Sequence, residues 1–284
     1  MSHDLPDDLR LVIFDLDGVV YRGPEGIPGA AALVNAVRRR GCAVRFATNN
    51  SMATREAYVV RLAGHGIPAT PEEIVTSNSA TVEHLQAHMP EVRSVLAVGE
   101  DGLLEELRHG GYEVTASQDA ATSSWKGEPL SVQYDAVVAG LDQHIDYRRI
   151  GVAAMAIRSG ARFVATNADV RYPVPAGFVP GAGAVVAAIA TAAGVEPLVI
   201  GKPRPAMFES ILEAAGVAAT HAVVIGDNPD SDVVAAHRAG IASILVLSGV
   251  ADARTAATLD GERLPDRTAA GPVEVGRLLG IEIS

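Results

Sequence analysis

The strongest constraint on the fold is a strand–helix alternation that opens the chain and resumes near its end. Leu9 to Phe14 is a short apolar run, followed after a Gly/Pro-rich turn by a helical segment from Ala30 to Arg40. Ala43 to Ala47 is the next predicted strand, and a helix follows over residues 54–63. Val75-Thr76-Ser77 leads into a third helix, Ala80 to His88. Near the other end, Pro180-Gly181-Ala182-Gly183 opens a helix to Ala193, and Pro197 to Ile200 reads as a strand. A helix over Ala206 to Ala215, a strand over Ala222 to Ile225, a helix over Asp230 to Ala239 and a strand over Ser243 to Leu247 complete the pattern, with a last helix around Val273 to Leu279. Such alternation predicts an α/β fold, a parallel sheet with helices on both faces.

Between the two halves lies a segment from about Gln86 to Val179 with predicted elements of its own. Its strands are Ser94 to Val98, Tyr112 to Thr115, Ala136 to Ala139 and Arg162 to Thr166, and its helices Gly102 to His109 and Asp146 to Ser159. It is long enough to be a domain. The expected organisation is a core domain from residues 1–85 and 180–284, with a smaller α/β domain, residues 86–179, inserted between them.

Composition agrees and narrows the partners. The chain is 48% hydrophobic but only 4% aromatic, which favours buried strands under small-residue helices over an all-β fold. The net charge of −11 argues against a nucleic-acid polymer or an anionic membrane surface. It leaves a small anionic ligand open, because one local cation can reverse the field inside a cleft. Cys42 is the only cysteine, which excludes an intrachain disulfide and reads as a small core residue. The acidic start lacks an apolar signal core and no long apolar run follows, so a cytoplasmic location is expected.

In open parallel sheets ligands bind beyond the carboxyl ends of the strands. Four predicted strands end in chemically useful groups: Asp15-Leu16-Asp17-Gly18, Thr48-Asn49-Asn50-Ser51, Gly201-Lys202-Pro203, and Gly226-Asp227 through Asp232. If they converge, Asp15, Asp17, Asp227 and Asp232 bring four carboxylates together. Each pair at about 5 Å repels by about 3 kcal/mol at an effective dielectric near ~20. Lys202 alone cannot neutralise that, whereas a hard divalent cation can, and oxygen-only donors select Mg²⁺. Asp15 and Asp17, two apart on an extended strand, would address one substrate. Asp15 is placed to attack phosphorus and form an aspartyl-phosphate, and Asp17 to protonate the leaving oxygen. Thr48 and the amides after it form a natural anion cradle.

Together these segments resemble the four motifs of the haloacid-dehalogenase-like superfamily, in the order and spacing of its NagD-like and nitrophenylphosphatase branch. That branch includes phosphoglycolate, glycerol-phosphate and pyridoxal-phosphate phosphatases, and carries a large α/β cap where this chain has its insertion. Gly140-Leu141-Asp142, Ala165-Thr166-Asn167-Ala168-Asp169 and Pro180-Gly181-Ala182-Gly183 are similar to that branch as well. The resemblance implies a Rossmann-like core plus cap, with Asp15 as nucleophile and Asp17 as acid/base. It implies Mg²⁺ held by the Asp15 carboxylate, the Asp17 backbone carbonyl and Asp227, with Asp232 orienting metal-bound water or Lys202. Thr48, Asn49 and Lys202 would hold the phosphate. Ser231 stands where many relatives have Thr, and Asp17 speaks against dehalogenation. A homodimer through the cap is also implied.

The expected activity is hydrolysis of a small phosphorylated metabolite: a sugar phosphate, glycerol phosphate, phosphoglycolate, pyridoxal phosphate or nucleotide monophosphate. A non-catalytic phosphate-ligand sensor and a phosphotransferase to an acceptor other than water are the alternatives. Asn50 and Gly18 are candidate substrate contacts, although Asn50 and Ser51 read better as a helix N-cap. Asp142, Asn167 and Asp169 read equally as cleft-lining groups and turn formers. Gly181 and Gly183 suggest close packing. His84 and His88 suggest a solvated helix face, Glu100 to Glu106 an exposed helical face, and Trp125 a surface contact or local anchor.

Overall fold

The computed structural model describes residues 4–120, 133–174 and 177–283; Trp125 lies outside them. In chain order the elements begin β1 (Leu11–Asp15), β2 (Tyr21–Arg22), β3 (Glu25–Gly26), α1 (Ala30–Arg39), β4 (Ala43–Thr48), α2 (Arg55–Gly64), β5 (Ile74–Thr76) and α3 (Ser77–His88). Then come β6 (Ser94–Val98), α4 (Asp101–His109), β7 (Glu113–Ala116), α5 (Ser117–Ala120), β8 (Ala136–Ala139), α6 (Tyr147–Arg158), β9 (Arg162–Ala165), β10 (Arg171–Val174), β11 (Gly177–Pro180), α7 (Ala182–Ala193) and β12 (Leu198–Val199). The last are α8 (Ala206–Ala215), β13 (Ala222–Gly226), α9 (Val234–Arg238), β14 (Ala242–Val246), α10 (Ala253–Ala256), β15 (Arg267–Ala269) and α11 (Pro272–Leu278).

The chain forms two compact units. The first comprises Met1–Thr48, Arg55–Val75 and Lys202–Ser284; the second comprises Asn49–Thr54 and Thr76–Gly201. The first unit is built on a six-stranded sheet of order β15-β14-β13-β1-β4-β5. In it β1 pairs in parallel with β13 and β4, and β14 with β13 and β15. The residues of β1, β13 and β14 are buried along their whole length. Such strands have no polar alternation because helices cover both faces. β2 and β3 form a short antiparallel hairpin.

The second unit holds a wholly parallel sheet of order β12-β9-β8-β6-β7. Its core joins Leu96 and Val98 of β6 and Val137 and Ala139 of β8 to Val152 and Ala156 of α6 and Val185, Val186 and Ile189 of α7. β10 and β11 make a separate antiparallel hairpin. A parallel-sheet core with an inserted smaller α/β domain is thus the observed architecture.

The compact units divide at other residues than 86 and 179. α3 packs on α4 and α7 on α6, so both helices, expected in the core domain, belong to the second unit. β12 likewise pairs with β9 instead of joining the first sheet. The segment Pro197 to Ile200 has the apolar pattern of a core strand. Only two of its residues pair, and Leu198 is 43% exposed at a sheet edge. Apolar runs this short do not say which sheet they join. The helix expected over Asp230 to Ala239 starts as a π-helical turn, Pro229–Val233, before α9.

Candidate active site

The first unit gathers its polar groups at the carboxyl ends of β1, β4 and β13. Asp15 is the last residue of β1, Thr48 of β4, and Asp227 directly follows β13. Lys202 starts the chain's return to this unit, and its ammonium is buried, 3% exposed. Nζ donates to Asp15 Oδ1 at 2.7 Å, to Asp232 Oδ1 at 2.7 Å and to the Ala47 carbonyl at 3.2 Å. Asp232 is fixed from its other oxygen, which accepts the Asn228 amide at 3.0 Å. Asp227 Oδ2 accepts the Val250 amide at 2.6 Å. Each of Asp15, Asp227 and Asp232 offers one oxygen, and the three lie within 4.8 Å of one another.

The electrostatics follow from that crowding. Burial pushes Asp15 well above the ordinary carboxylate range; Lys202 opposes this, while Asp232 and Asp227 add to it. Burial, then the charge of Asp232, pushes Asp227 up to about 7. Burial alone would lower the Lys202 pKa, but Asp15 and Asp232 outweigh it and hold the lysine firmly protonated. One buried ammonium facing three buried carboxylates is short of positive charge. The donors are all oxygen and their protonation is the cost of leaving them uncompensated, so the residues present fit a hard divalent cation. Two glycines keep that space open. A Cβ on Gly18 or on Gly249 would collide with Asp227 Oδ2, and Gly18 also holds φ +82°, the left-handed region that suits glycine.

Asp17 is placed by a turn, not by the strand period, because β1 stops at Asp15. The Leu16 carbonyl accepts the amides of Val20 and Tyr21, and Gly18 N donates to Tyr21 O at 2.7 Å. Asp17 then bridges to Tyr21. Burial raises its pKa, opposed by the charges of Arg61 and Lys202. A carboxyl held towards its protonated form is suited to donate a proton.

Asn49 and Asn50 open the second unit. Asn49 Nδ2 donates to both oxygens of Asp169 at 3.1 Å, and its carbonyl accepts from Ser77 Oγ and Asn167 Nδ2 at 2.8 Å. Asn50 Oδ1 accepts the Met52 amide at 3.0 Å, a local turn rather than a cap on α2. Ser51 Oγ accepts the Leu141 amide at 3.1 Å, so it does not cap α2 either. Asp142 takes the turn-forming role: it accepts the His144 amide at 2.8 Å and pairs with Arg149 at 3.0 Å. A Cβ on Gly181 or Gly183 would strike the Asp169 or Ala168 carbonyl, as close packing requires. The acidic face of α4 is not wholly exposed, since Glu106 is buried. The rings of His84 and His88 lie 4.5 Å apart between centroids, tilted by 44°, and neither joins a metal-ligand cluster among the described residues.

Sequence reasoning missed Gly249 and Val250, which follow β14 and shape the Asp227 pocket. The signal was present, since an apolar run ends just before Ser248-Gly249.

Comparison with known proteins accords with this geometry. Residues 12–113 match the haloacid dehalogenase-like hydrolase family, and residues 199–270 a second haloacid dehalogenase-like hydrolase family. The chain is 34% identical to 5'-nucleotidase YutF of Bacillus subtilis over 238 residues, covering 84% of this chain and 87% of that one. It is 33% identical over 241 residues to an acid sugar phosphatase of Staphylococcus aureus, covering 85% and 87%. Among solved structures, the glycerol phosphate phosphatase Rv1692 of Mycobacterium tuberculosis, in complex with magnesium, superposes with a TM-score of 0.82. That match has 31% identity and covers 96% of this chain and 78% of the other.

Proposed function

The chain belongs to the haloacid dehalogenase-like hydrolases and is a phosphoric monoester hydrolase, and from that premise we propose that it uses Mg²⁺ and an aspartyl-phosphate on Asp15 to hydrolyse a small phosphorylated metabolite. The observation that carries this reading is the buried Lys202 shared between Asp15 and Asp232 at 2.7 Å each, with Asp227 alongside.

Asp15 attacks phosphorus, and its O–P bond forms as the bond to the leaving oxygen breaks. The leaving oxygen keeps that electron pair and takes a proton from Asp17. Water then attacks the phosphoryl-aspartate and gives its proton to Asp17, which frees Asp15 and inorganic phosphate. Lys202 stabilises charge on the transferring group and is itself held by Asp232. The Thr48 hydroxyl, at the end of β4, and the backbone amide of Asn49 after it are assigned as donors to phosphate oxygens. The carboxylates of Asp15 and Asp227 and the Asp17 carbonyl would hold Mg²⁺. When bound, that ion supplies the positive charge the carboxylate cluster lacks.

The sugar phosphatase, nucleotidase and glycerol phosphate phosphatase names of the relatives support a small phosphomonoester such as a sugar phosphate, glycerol phosphate or nucleotide monophosphate, and phosphoglycolate stays among the candidates the motifs imply. No described helix is long and apolar enough to cross a membrane; a cytoplasmic location is part of the proposal. A homodimer is the assembly proposed, which gel filtration at micromolar concentration checks. The direct test is phosphate release from a panel of small phosphomonoesters, with Mg²⁺ and with EDTA. Metal-dependent release of free phosphate supports the reading. Ligand binding without turnover, or phosphate found on an organic acceptor, would replace it.

A further inference from the structure

The β2–β3 hairpin begins four residues after Asp17, and α2 and the turn after it clamp it at three points. The Arg61 guanidinium sits over the Tyr21 ring, 3.7 Å from its centroid. Arg61 Nη2 donates to the Gly23 carbonyl at 2.6 Å. The His65 ring stacks on Tyr21 with centroids 5.5 Å apart and a 29° interplanar angle. His65 also closes on Gly26, where a Cβ would come within 3.0 Å of Nδ1. Arg61 sits in the last turn of α2 and His65 in the turn that follows it, where the His65 amide donates to Leu62 O at 3.0 Å.

Tyr21 is the link between this clamp and the turn that carries Asp17. It is 0% exposed, and its hydroxyl has no hydrogen-bond partner among the described residues, so packing and its backbone hold it. Its carbonyl accepts the Gly18 amide, its own amide donates to Leu16 O, and it bridges to Asp17. Moving the Tyr21 ring therefore moves the backbone on both sides of Asp17.

We propose that Arg61 is a positioning residue for the phosphatase reaction, acting through Tyr21 and the hairpin to hold Asp17 against the leaving-group oxygen. The proposal rests on the reading of Asp17 as general acid. It assigns a part to a residue outside the strand-end motifs, and it makes a selective demand. A nitrophenolate departs without a proton, whereas an alkoxide needs one. A misplaced acid therefore slows phosphoryl transfer from alkyl phosphates while sparing transfer from aryl phosphates; the hydrolysis step that follows is the same for both.

The test compares kcat/KM for 4-nitrophenyl phosphate and glycerol phosphate, with Mg²⁺, in the wild type and in Arg61→Met, Arg61→Lys, Asp17→Asn and Asp15→Asn. That ratio stops at phosphoryl transfer to Asp15 and so leaves out the hydrolysis step common to all substrates. Arg61→Met should lose about tenfold or more on glycerol phosphate and less than about threefold on 4-nitrophenyl phosphate, a fraction of the ~10²–10⁴ that a general acid contributes. Arg61→Lys keeps a charge and a donor towards Gly23 and should recover part of the alkyl rate. An equal fall on both substrates, or no fall on either, overturns the proposal. If Arg61→Met does not fold, the same selective loss in Arg61→Lys decides. Turnover surviving in Asp15→Asn would instead remove the underlying mechanism. A selective loss in Asp17→Asn without one in the Arg61 variants would remove this inference alone.

Discussion

Lys202 Nζ lies 2.7 Å from Asp15 Oδ1 and 2.7 Å from Asp232 Oδ1, with 3% of the lysine exposed, so one ammonium supports two carboxylates that water hardly reaches. Breaking a buried pair by removing one partner leaves an uncompensated charge, which costs about 3–5 kcal/mol. Lys202→Met should therefore lower stability by about that amount in urea unfolding with EDTA, and reduce kcat at least ~10²-fold. A variant as stable as the wild type would mean the ammonium is not what holds these carboxylates.

Asp15→Asn has the opposite sign for stability. It keeps shape and polarity but removes one of three crowded negative charges, and Asp232 still pairs with Lys202. The metal-free variant should melt at or slightly above the wild-type temperature while turnover disappears. A fall of more than about 5 °C, above 1 kcal/mol for a chain of this size, would contradict the placement of Asp15.

What the sequence disclosed follows from what each residue does locally. Asp15 and Asp227 were legible because each ends an apolar run, and Thr48 because it ends a run apolar but for Arg45; strand ends in a parallel sheet face one rim. Lys202 was legible in chemistry but not in route, since the two-residue β12 pairs with β9 of the second unit. The i, i+2 argument for Asp17 gave the right neighbourhood by the wrong geometry: the residue lies past the strand, in a turn on the Leu16 carbonyl. The division between units was misread because the sequences of α3 and α7 do not name what covers them: α3 buries Ser77, Asn78, Ser79 and Thr81 beside Ala80, Val82 and Leu85, and α7 is apolar nearly all round. Tyr21, Arg61 and His65 gave no signal, because stacking between side chains some forty residues apart leaves no period in sequence.

Gly249 tests the shape of the pocket separately from its charge. A Cβ there would overlap Asp227 Oδ2, the oxygen that also accepts the Val250 amide. Gly249→Ala must push the carboxylate or the loop aside, at about 1–3 kcal/mol. The expected result is an Mg²⁺ requirement for half-maximal activity raised by about tenfold or more, with most of kcat recovered at saturating metal. Unchanged metal dependence would show that the Asp227 carboxylate does not need this clearance.

The pH dependence of the metal-free protein separates Asp227 from its neighbours. Its pKa is raised from 3.8 in the ordinary carboxylate to about 7, because burial and Asp232 disfavour its charge. The folded state therefore holds a proton that the unfolded state has released between about pH 4 and pH 7, and stability falls as pH rises through that window. In EDTA the wild-type melting temperature should drop between pH 5 and pH 8 by several degrees more than that of Asp227→Asn, which has no proton to lose there. Mg²⁺ needs the ionised carboxylate, so the stabilisation it gives should grow over the same interval. Parallel curves for the two proteins in EDTA would place the raised pKa elsewhere in the cluster, and a metal-induced gain that shrinks with pH would argue against Asp227 as a ligand.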